Sequence, residues 1–542
     1  MLASTLLGAV ATLLLTVPSA ARIDRLYPNG RPPRPLGEDG IVRRDAKPSH
    51  QGVFQQLIDH NHPELGTFSQ RYWYNAEYYA GPGSPIVLNA PGESEADDFY
   101  TTNDTLSGMF AQTNGGAVIV IEHRYWGESS PYDKLTTTNL QYLNLDNAIQ
   151  DLIYFAHNVE LPFDVNGTTR PTKAPWVLTG CSYSGALAAW THALAPGTFW
   201  AYHCSSAVVE AISDFWQYNK PIKDAMPKNC TADMQRAIKQ VDGILSSGTA
   251  EQKHSLKKKF GLESLTHDND FAQVLTGGLQ GWQDTMFYKS NKTNPLYEFC
   301  DYIENVFPDD KNGTRTYPAV LPGPEGVGTC KAMDGFAKWS KEVYLPEVCA
   351  QYGYWADNNT LACLDMNNKE NPMYKDLTVL AKINRQWTWF TCNEPFEWWQ
   401  VSSPQDTTGL VSRFLGVEYW RMQCDNYFPQ EGNHTHGLAA GRTADQVNKK
   451  TGGWNGFNNT TRLMWVNGEH DPWRPATMSA DARPGGPLKT TPEAPVWVIP
   501  KAAHCNDLIT KNADSNPELR KIVDDILGTM KKWVDEYYDG KE

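Results

Sequence analysis

The sequence predicts an α/β fold: a mainly parallel sheet, interrupted by a large helical insertion and closed by a C-terminal helix. Three observations predict it. Continuous apolar runs at Pro85-Ile86-Val87-Leu88, Ala117-Val118-Ile119-Val120-Ile121, Trp176-Val177-Leu178, Leu463-Met464-Trp465-Val466 and Val496-Trp497-Val498-Ile499 suit strands buried on both faces, as parallel strands are. Helical periods lie between some of these runs. The third run leads into Gly180-Cys181-Ser182-Tyr183-Ser184-Gly185 and then a helix-forming stretch, Ala186-Leu187-Ala188-Ala189-Trp190. Strand, tight serine turn and helix is the setting in which an α/β-hydrolase fold holds its nucleophile.

Taken in order, residues 1–21 read as an export signal. An apolar run from Leu6 to Val17 is followed by the small-residue stretch Pro18-Ser19-Ala20-Ala21, without a basic start. Residues 22–49 are rich in Pro, Arg and Gly and read as an extended tail or pro-segment, with Arg43-Arg44 as a dibasic pair. Residues 50–210 form the first part of the sheet domain. Aromatic alternation over residues 68–79 predicts a strand near the sheet edge. Ala148, Ile149, Leu152, Ile153 and Phe155 give residues 144–159 a helical apolar side.

Residues 211–445 hold helical patterns, Trp-rich turns and seven of the ten Cys, but few strand runs. They read as a helical cap inserted between strands. Residues 446–542 return to the sheet and end in a helix carrying Leu519, Ile522, Val523, Ile526, Met530, Trp533 and Tyr537. Ser515 and Glu518 predict a capping box at its start.

The bulk composition narrows the partners. A formal net charge of -14 argues against nucleic acid and anionic membrane surfaces. No run after the signal reaches the length of a membrane span. Sugar acceptors occur at Asn103, Asn166, Asn229, Asn291, Asn312, Asn358, Asn433, Asn458 and Asn459, which with ten Cys predicts a secreted glycoprotein with disulfides. The Cys show no CxxC pair and no zinc-like cluster with His, so neither metal nor cofactor is expected.

A serine hydroxyl is a weak nucleophile at neutral pH and needs a base, itself held by an acid. In an α/β-hydrolase these follow in the order Ser, acid, His, on loops after successive strands. Asn467-Gly468-Glu469-His470-Asp471-Pro472-Trp473 follows one late strand, and Pro500-Lys501-Ala502-Ala503-His504-Cys505 follows the other. Ser182, Asp471 and His504 are therefore the expected nucleophile, acid and base. Glu469 is a rival acid, and His470, His123, His192 and His203 are rival bases. The amide of Tyr183 is one expected oxyanion donor, and that of Gly92 or Glu93 in Asn89-Ala90-Pro91-Gly92-Glu93 the other.

These residues resemble the serine peptidase family that contains lysosomal Pro-X carboxypeptidase and dipeptidyl peptidase II. The resemblance rests on Glu122-His123-Arg124-Tyr125-Trp126-Gly127-Glu128-Ser129, the turn 180–185, Asn467-Gly468 with Asp471-Pro472-Trp473, and Ala503-His504 with Asp507-Leu508. Stretches 197–203 and 451–454 look most like secreted fungal acid prolyl endopeptidases. Cys181 departs from the pattern, which has glycine there, so its φ is expected to be negative.

The resemblance implies an SKS-like helical cap, cleavage after proline with tolerance for alanine, activity at acid pH, and peptide or protein substrates rich in proline. It also implies the disulfides Cys230–Cys300 and Cys392–Cys424. Cys349–Cys363 is a further short loop, and Cys181–Cys204 is conceivable between neighbouring strands. A proline pocket should be compact and aromatic. Trp473 is its expected wall, with Phe396, Trp398 and Trp399 as a lid. Endopeptidase action leads, a proline-specific exopeptidase is the alternative, and an inactive binding glycoprotein is the remote one. Extracellular space is the expected location, with an acidic vacuole or lysosome-like compartment as the alternative. The oligomeric state stays open, a dimer included.

Overall fold

Four of the five apolar runs become strands packed on both faces; Val496–Ile499 does not, because it lies at the sheet edge and leaves Val498 exposed. The computed structural model describes residues 50–289, 294–308, 315–316, 322–404 and 409–540. The expected signal and tail, and the acceptors Asn291 and Asn312, lie outside the described residues. The large sheet contains β1 (His50–Leu57), β2 (Thr67–Asn75), β3 (Ile86–Asn89), β4 (Ala117–Ile121), β5 (Trp176–Cys181), β6 (Ala201–Ser205), β7 (Leu463–Gly468) and β8 (Val496–Ile499). Their order is β1-β2-β4-β3-β5-β6-β7-β8. Pairing is antiparallel at β1/β2 and β2/β4 and parallel from β4 onward. Every residue of β3 to β7 is buried. This is an α/β-hydrolase fold.

Helices close both faces. α1 (Leu106–Asn114) and α2 (Leu145–Asn158) precede the serine turn, and α3 (Tyr183–Leu194) follows it. Asn144 caps α2 by accepting the Asn147 N–H. The last helix, Pro517–Asp539, buries Leu519, Val523, Ile526, Met530, Trp533, Val534 and Tyr537. These pack with α1 and with Val87, Val118, Val177, Met464 and Val466 of the sheet. The capping box expected from Ser515 and Glu518 does not form. Pro517 has no N–H to offer and suits the first helical position, so Asn516 takes the cap and accepts from Glu518 N and Leu519 N. Ser515 instead ends a short helix, Thr510–Ser515.

Between β6 and β7 the described residues are mainly helical. Lys228–Ser247, Pro295–Ile303, Thr329–Trp339, Arg385–Asn393 and Val417–Tyr427 are the longer segments near the disulfides Cys230–Cys300, Cys349–Cys363 and Cys392–Cys424. No described helix is long and apolar enough to cross a membrane. Asn103, Asn166, Asn358, Asn433, Asn458 and Asn459 are exposed, and Asn229 is half-buried.

A polar hub is buried inside this apolar frame. Arg124 is fully buried and bonds Asp151 (Nε–Oδ2 2.7 Å) and the carbonyls of Leu57, Ile58 and Tyr142. Burial alone would raise the Asp151 pKa, but the charge and hydrogen bonds of Arg124, with His60, hold it below the ordinary value. Removing one partner of such a pair leaves an uncompensated charge. Arg124→Ala should therefore destabilise the fold by about 3–5 kcal/mol, read as a shift in denaturant midpoint.

Candidate active site

The serine turn is built by hydrogen bonds that leave one residue in an unusual conformation. Ser182 has φ 59° and ψ -128°, in the left-handed half of the map. Its N–H donates to Ser205 O (3.0 Å) on β6, and its carbonyl accepts from Ala186 N (2.9 Å) inside α3. Ser184, the other serine of the turn, is consumed by scaffolding. Its Oγ donates to Cys181 O (2.7 Å) and accepts from Cys181 N (3.0 Å). Gly185 must lack a side chain, since a Cβ there would stand 2.6 Å from Ser205 O. Cys181 is not among the residues with positive φ, so its Cβ is tolerated and the turn's strain sits on Ser182.

Asp471 and His504 are brought together by the ends of β7 and β8. A Cβ on Gly468 would lie 2.2 Å from Ala503 O, so only glycine lets the two loops touch. His470 N donates to Ala502 O (2.9 Å) across the same seam. His504 Nδ1 is 2.9 Å from Asp471 Oδ1 and 3.1 Å from Oδ2, with both residues buried. Asp471 Oδ1 also accepts from Trp473 N (2.9 Å). His504 Nε2 is buried and has no hydrogen-bond partner among the described residues. Ser182 and His504 line one cavity, but their side chains do not hydrogen-bond to each other in this structure. Such bonds are often long until a substrate is bound.

The rival groups are engaged elsewhere. Glu469 is half-exposed and accepts the Lys501 N–H (2.8 Å), and His470 stands beside it. His203 sits between Thr179 Oγ1 (2.9 Å) and Asp507 Oδ2 (3.1 Å), under the sheet end. His123 contacts Arg124 O and the Tyr183 hydroxyl (3.0 Å), and burial pushes its pKa down to about 4. His192 packs on Tyr202.

Aromatic side chains wall the cavity beside Ser182. Trp387, Trp398 and Trp473 line it together with Tyr183, Val208 and Gln283. Trp473 Nε1 donates to Gln283 Oε1 (3.0 Å), and its ring centroid is 6.1 Å from that of His504. Trp399 is not in this cavity. It lines an adjoining cleft with Trp420 and Gln423, which shares Trp387, Trp398 and Trp473 with the first. Phe396 is not a wall at all. It is fully buried and stacked between Trp190 (5.2 Å) and Trp398 (4.7 Å), behind the cavity face.

Two features escaped the sequence. Cys181 pairs with Cys505 (Cα–Cα 6.1 Å) and not with Cys204, which is buried and free. Register explains this: Cys204 lies opposite Gly180, and Cys181 opposite Ser205, so the two sulfurs point to opposite faces of the sheet. The second is the Glu93 side chain. It is only 4 % exposed and lines the cavity with Ser182 and His504. Burial pushes its pKa up to about 7, opposed by a hydrogen bond from its own backbone N–H and by His504. Gly92 and Glu93 lie on the loop after β3. The Tyr183 amide opens α3, where the helix dipole favours negative charge.

The family model described as Serine carboxypeptidase S28 matches residues 55–526. The chain is 41% identical over 498 residues to "Serine protease vicPb" of Bipolaris victoriae, covering 90% of each. It is 30% identical to "Probable extracellular serine carboxypeptidase" of Arthroderma benhamiae, over 81% of this chain and 59% of that one. It is 24% identical to "Thymus-specific serine protease" of Mus musculus, over 89% and 87%. Among solved structures, a serine hydrolase of Cycloclasticus zankles overlaps 87% of this chain and 97% of its own, at 10% identity and TM-score 0.33.

Glu93 makes stability depend on pH. The folded protein holds its proton more tightly than the unfolded chain, whose carboxyl titrates near 4.5. The stabilisation is complete below that pH and is lost as pH rises toward 7. It amounts to roughly 3 kcal/mol. The difference in unfolding free energy between wild type and Glu93→Gln should change by that order between pH 4.5 and 7 and be flat outside it. Paired denaturant titrations across pH measure it.

Proposed function

Because the chain belongs to the serine carboxypeptidase S28 family, we propose that it is a secreted peptidase that cleaves on the carboxyl side of proline at acid pH. The observation that carries this reading is the aromatic cavity directly beside Ser182 and His504. A proline ring is compact and apolar, and flat indole faces remove it from water without leaving a polar group unpaired. Trp473 and Trp398 stand nearly perpendicular (83°), which gives the ring a corner to enter. The adjoining cleft bordered by Trp399 and Trp420 offers room for further residues of a chain, which favours an endopeptidase. A relative named an extracellular carboxypeptidase and the exposed acceptors Asn103, Asn166, Asn358, Asn433, Asn458 and Asn459 support export.

In this reading His504 Nε2 takes the proton of Ser182 as Oγ attacks the prolyl carbonyl. Asp471 keeps the proton of His504 on Nδ1 and stabilises the imidazolium. The oxyanion is met by the Tyr183 amide and by that of Gly92 or Glu93. Nε2 then delivers its proton to the leaving amine, and the acyl-enzyme is left on Ser182. Water, deprotonated by the same nitrogen, releases the acid product and restores the serine.

Three experiments check this. A fluorophosphonate probe should label wild type but not Ser182→Ala; equal labelling of both would remove Ser182 as nucleophile. Asp471→Asn should lower kcat by on the order of 10³–10⁴-fold. A long proline-containing peptide blocked at both ends should be cut internally after proline, read by mass spectrometry. An uncut blocked peptide beside a cut free one would assign an exopeptidase.

A further inference from the structure

Glu93 is a titratable group in the catalytic cavity that the acyl-enzyme route above does not use. We infer that the Glu93 carboxyl switches the pocket off as pH rises: neutral, it leaves the oxyanion site open; ionised, it opposes the oxyanion. The inference rests on the acyl-enzyme reading and deepens it.

The geometry is specific. The carboxyl lines the cavity that Ser182 and His504 share, and water scarcely reaches it. Its backbone N–H is one of the two amides available to the oxyanion from this loop, and that same N–H bonds the Glu93 carboxylate. The groups facing it are the His504 imidazole, the Tyr100 hydroxyl from the turn Phe99–Thr101, and Tyr183 at the start of α3. Neither arginine nor lysine is among the charges that act on it. The nearby Arg71 is held by Glu122 (2.7 Å) and Glu95 (3.0 Å) instead. The chain position of Glu93 is itself fixed, since its carbonyl accepts from Asn384 Nδ2 (3.1 Å) and Trp126 Nε1 donates to Asn384 Oδ1 (3.0 Å).

Three consequences follow from ionising a carboxyl placed there. A fixed negative charge repels the oxyanion in a site where water screens poorly. The carboxylate competes for an amide that the oxyanion needs. It also favours protonated His504, the form that cannot accept the serine proton. All three act in the same direction. The neutral acid has none of these effects, so the site works while Glu93 keeps its proton. The raised pKa of Glu93 puts this change near neutral pH.

The test is the pH profile of fluorophosphonate labelling from pH 3 to 9, for wild type and Glu93→Gln. The wild-type rate should fall about tenfold per pH unit on the alkaline side, as one ionisation requires. The Glu93→Gln rate should hold level over the same range. If glutamine is poorly tolerated, Glu93→Ala gives the same comparison, because any uncharged side chain removes the fall. A variant that still falls at the wild-type pH overturns the inference, whether or not its overall rate is lowered. Labelling that survives in Ser182→Ala overturns the nucleophile assignment, whereas a profile unchanged by Glu93→Gln overturns the role of Glu93 alone.

Discussion

The site depends on one constraint: Ser182 must stay at φ 59°, ψ -128° while the chain turns from β5 into α3. A non-glycine residue in such a region costs on the order of 1–3 kcal/mol and persists only where its surroundings overdetermine it. Here they do. The residue's own N–H is tied to β6 and its carbonyl to α3, while Ser184 clamps the backbone of Cys181 from both sides. The approach of Gly185 to Ser205 O then leaves the helix only one way to leave the sheet. The position of Ser182 is thus a property of the central strands, whose burial supplies the stabilisation that the turn consumes.

The stretch 122–129, one of those that carry the family resemblance, works from underneath. Glu122 and Ser129 bond each other (2.6 Å), and Glu122 also binds Arg71 and the Ala96 N–H. Arg124 anchors to Asp151 and the carbonyls after β1, so one short segment pins β1, β2, α2 and the loop after β3. His123 passes this fixity to the serine turn through its contact with the Tyr183 hydroxyl. None of these side chains meets the cavity at Ser182. Their charges are satisfied within the protein, which suits a structural role and explains how a motif so rich in ionisable groups can be buried.

What the sequence could disclose followed from local rules. Strands packed between apolar layers read as unbroken apolar runs, whereas β6, equally buried, carries His203 and Ser205 and does not. The order of Ser182, Asp471 and His504 was legible because each follows such a run. The three cap disulfides were drawn from resemblance and loop length, and those sulfurs lie within bonding distance. Apart from the local cap at Asn516, the misses were relations between distant segments. Pairing of Cys181 with Cys505 and not Cys204 depends on which face of the sheet the Cys181 sulfur points from. Phe396 and Trp398 differ by two positions, yet one is behind the wall and the other on it. Trp387 sits on the helix Arg385–Asn393 beside another tryptophan, and nothing local says which of Trp387 and Trp389 faces the cavity. The burial of Glu93 had no signature either, because a glutamate after Pro-Gly reads as exposed turn.

The Cys181–Cys505 link bears on how Ser182 and His504 stay in register. One sulfur precedes Ser182 and the other follows His504, across a sequence separation of 324. Cys505 itself has φ 56°, and its N–H donates to Ser206 Oγ (3.1 Å), just past the end of β6. The histidine loop is thereby fastened to the strands that carry the serine at two points, one covalent and one hydrogen-bonded. Asp471 reaches the same loop through the seam at Gly468. Ser182, His504 and Asp471 are therefore joined by contacts within the sheet domain, independent of the helices between β6 and β7. The tryptophans that shape the cavity come from both sources: Trp473 from the acid loop, Trp387 and Trp398 from the insertion. A change in the segment between β6 and β7 can thus reshape the cavity without moving Ser182, His504 or Asp471.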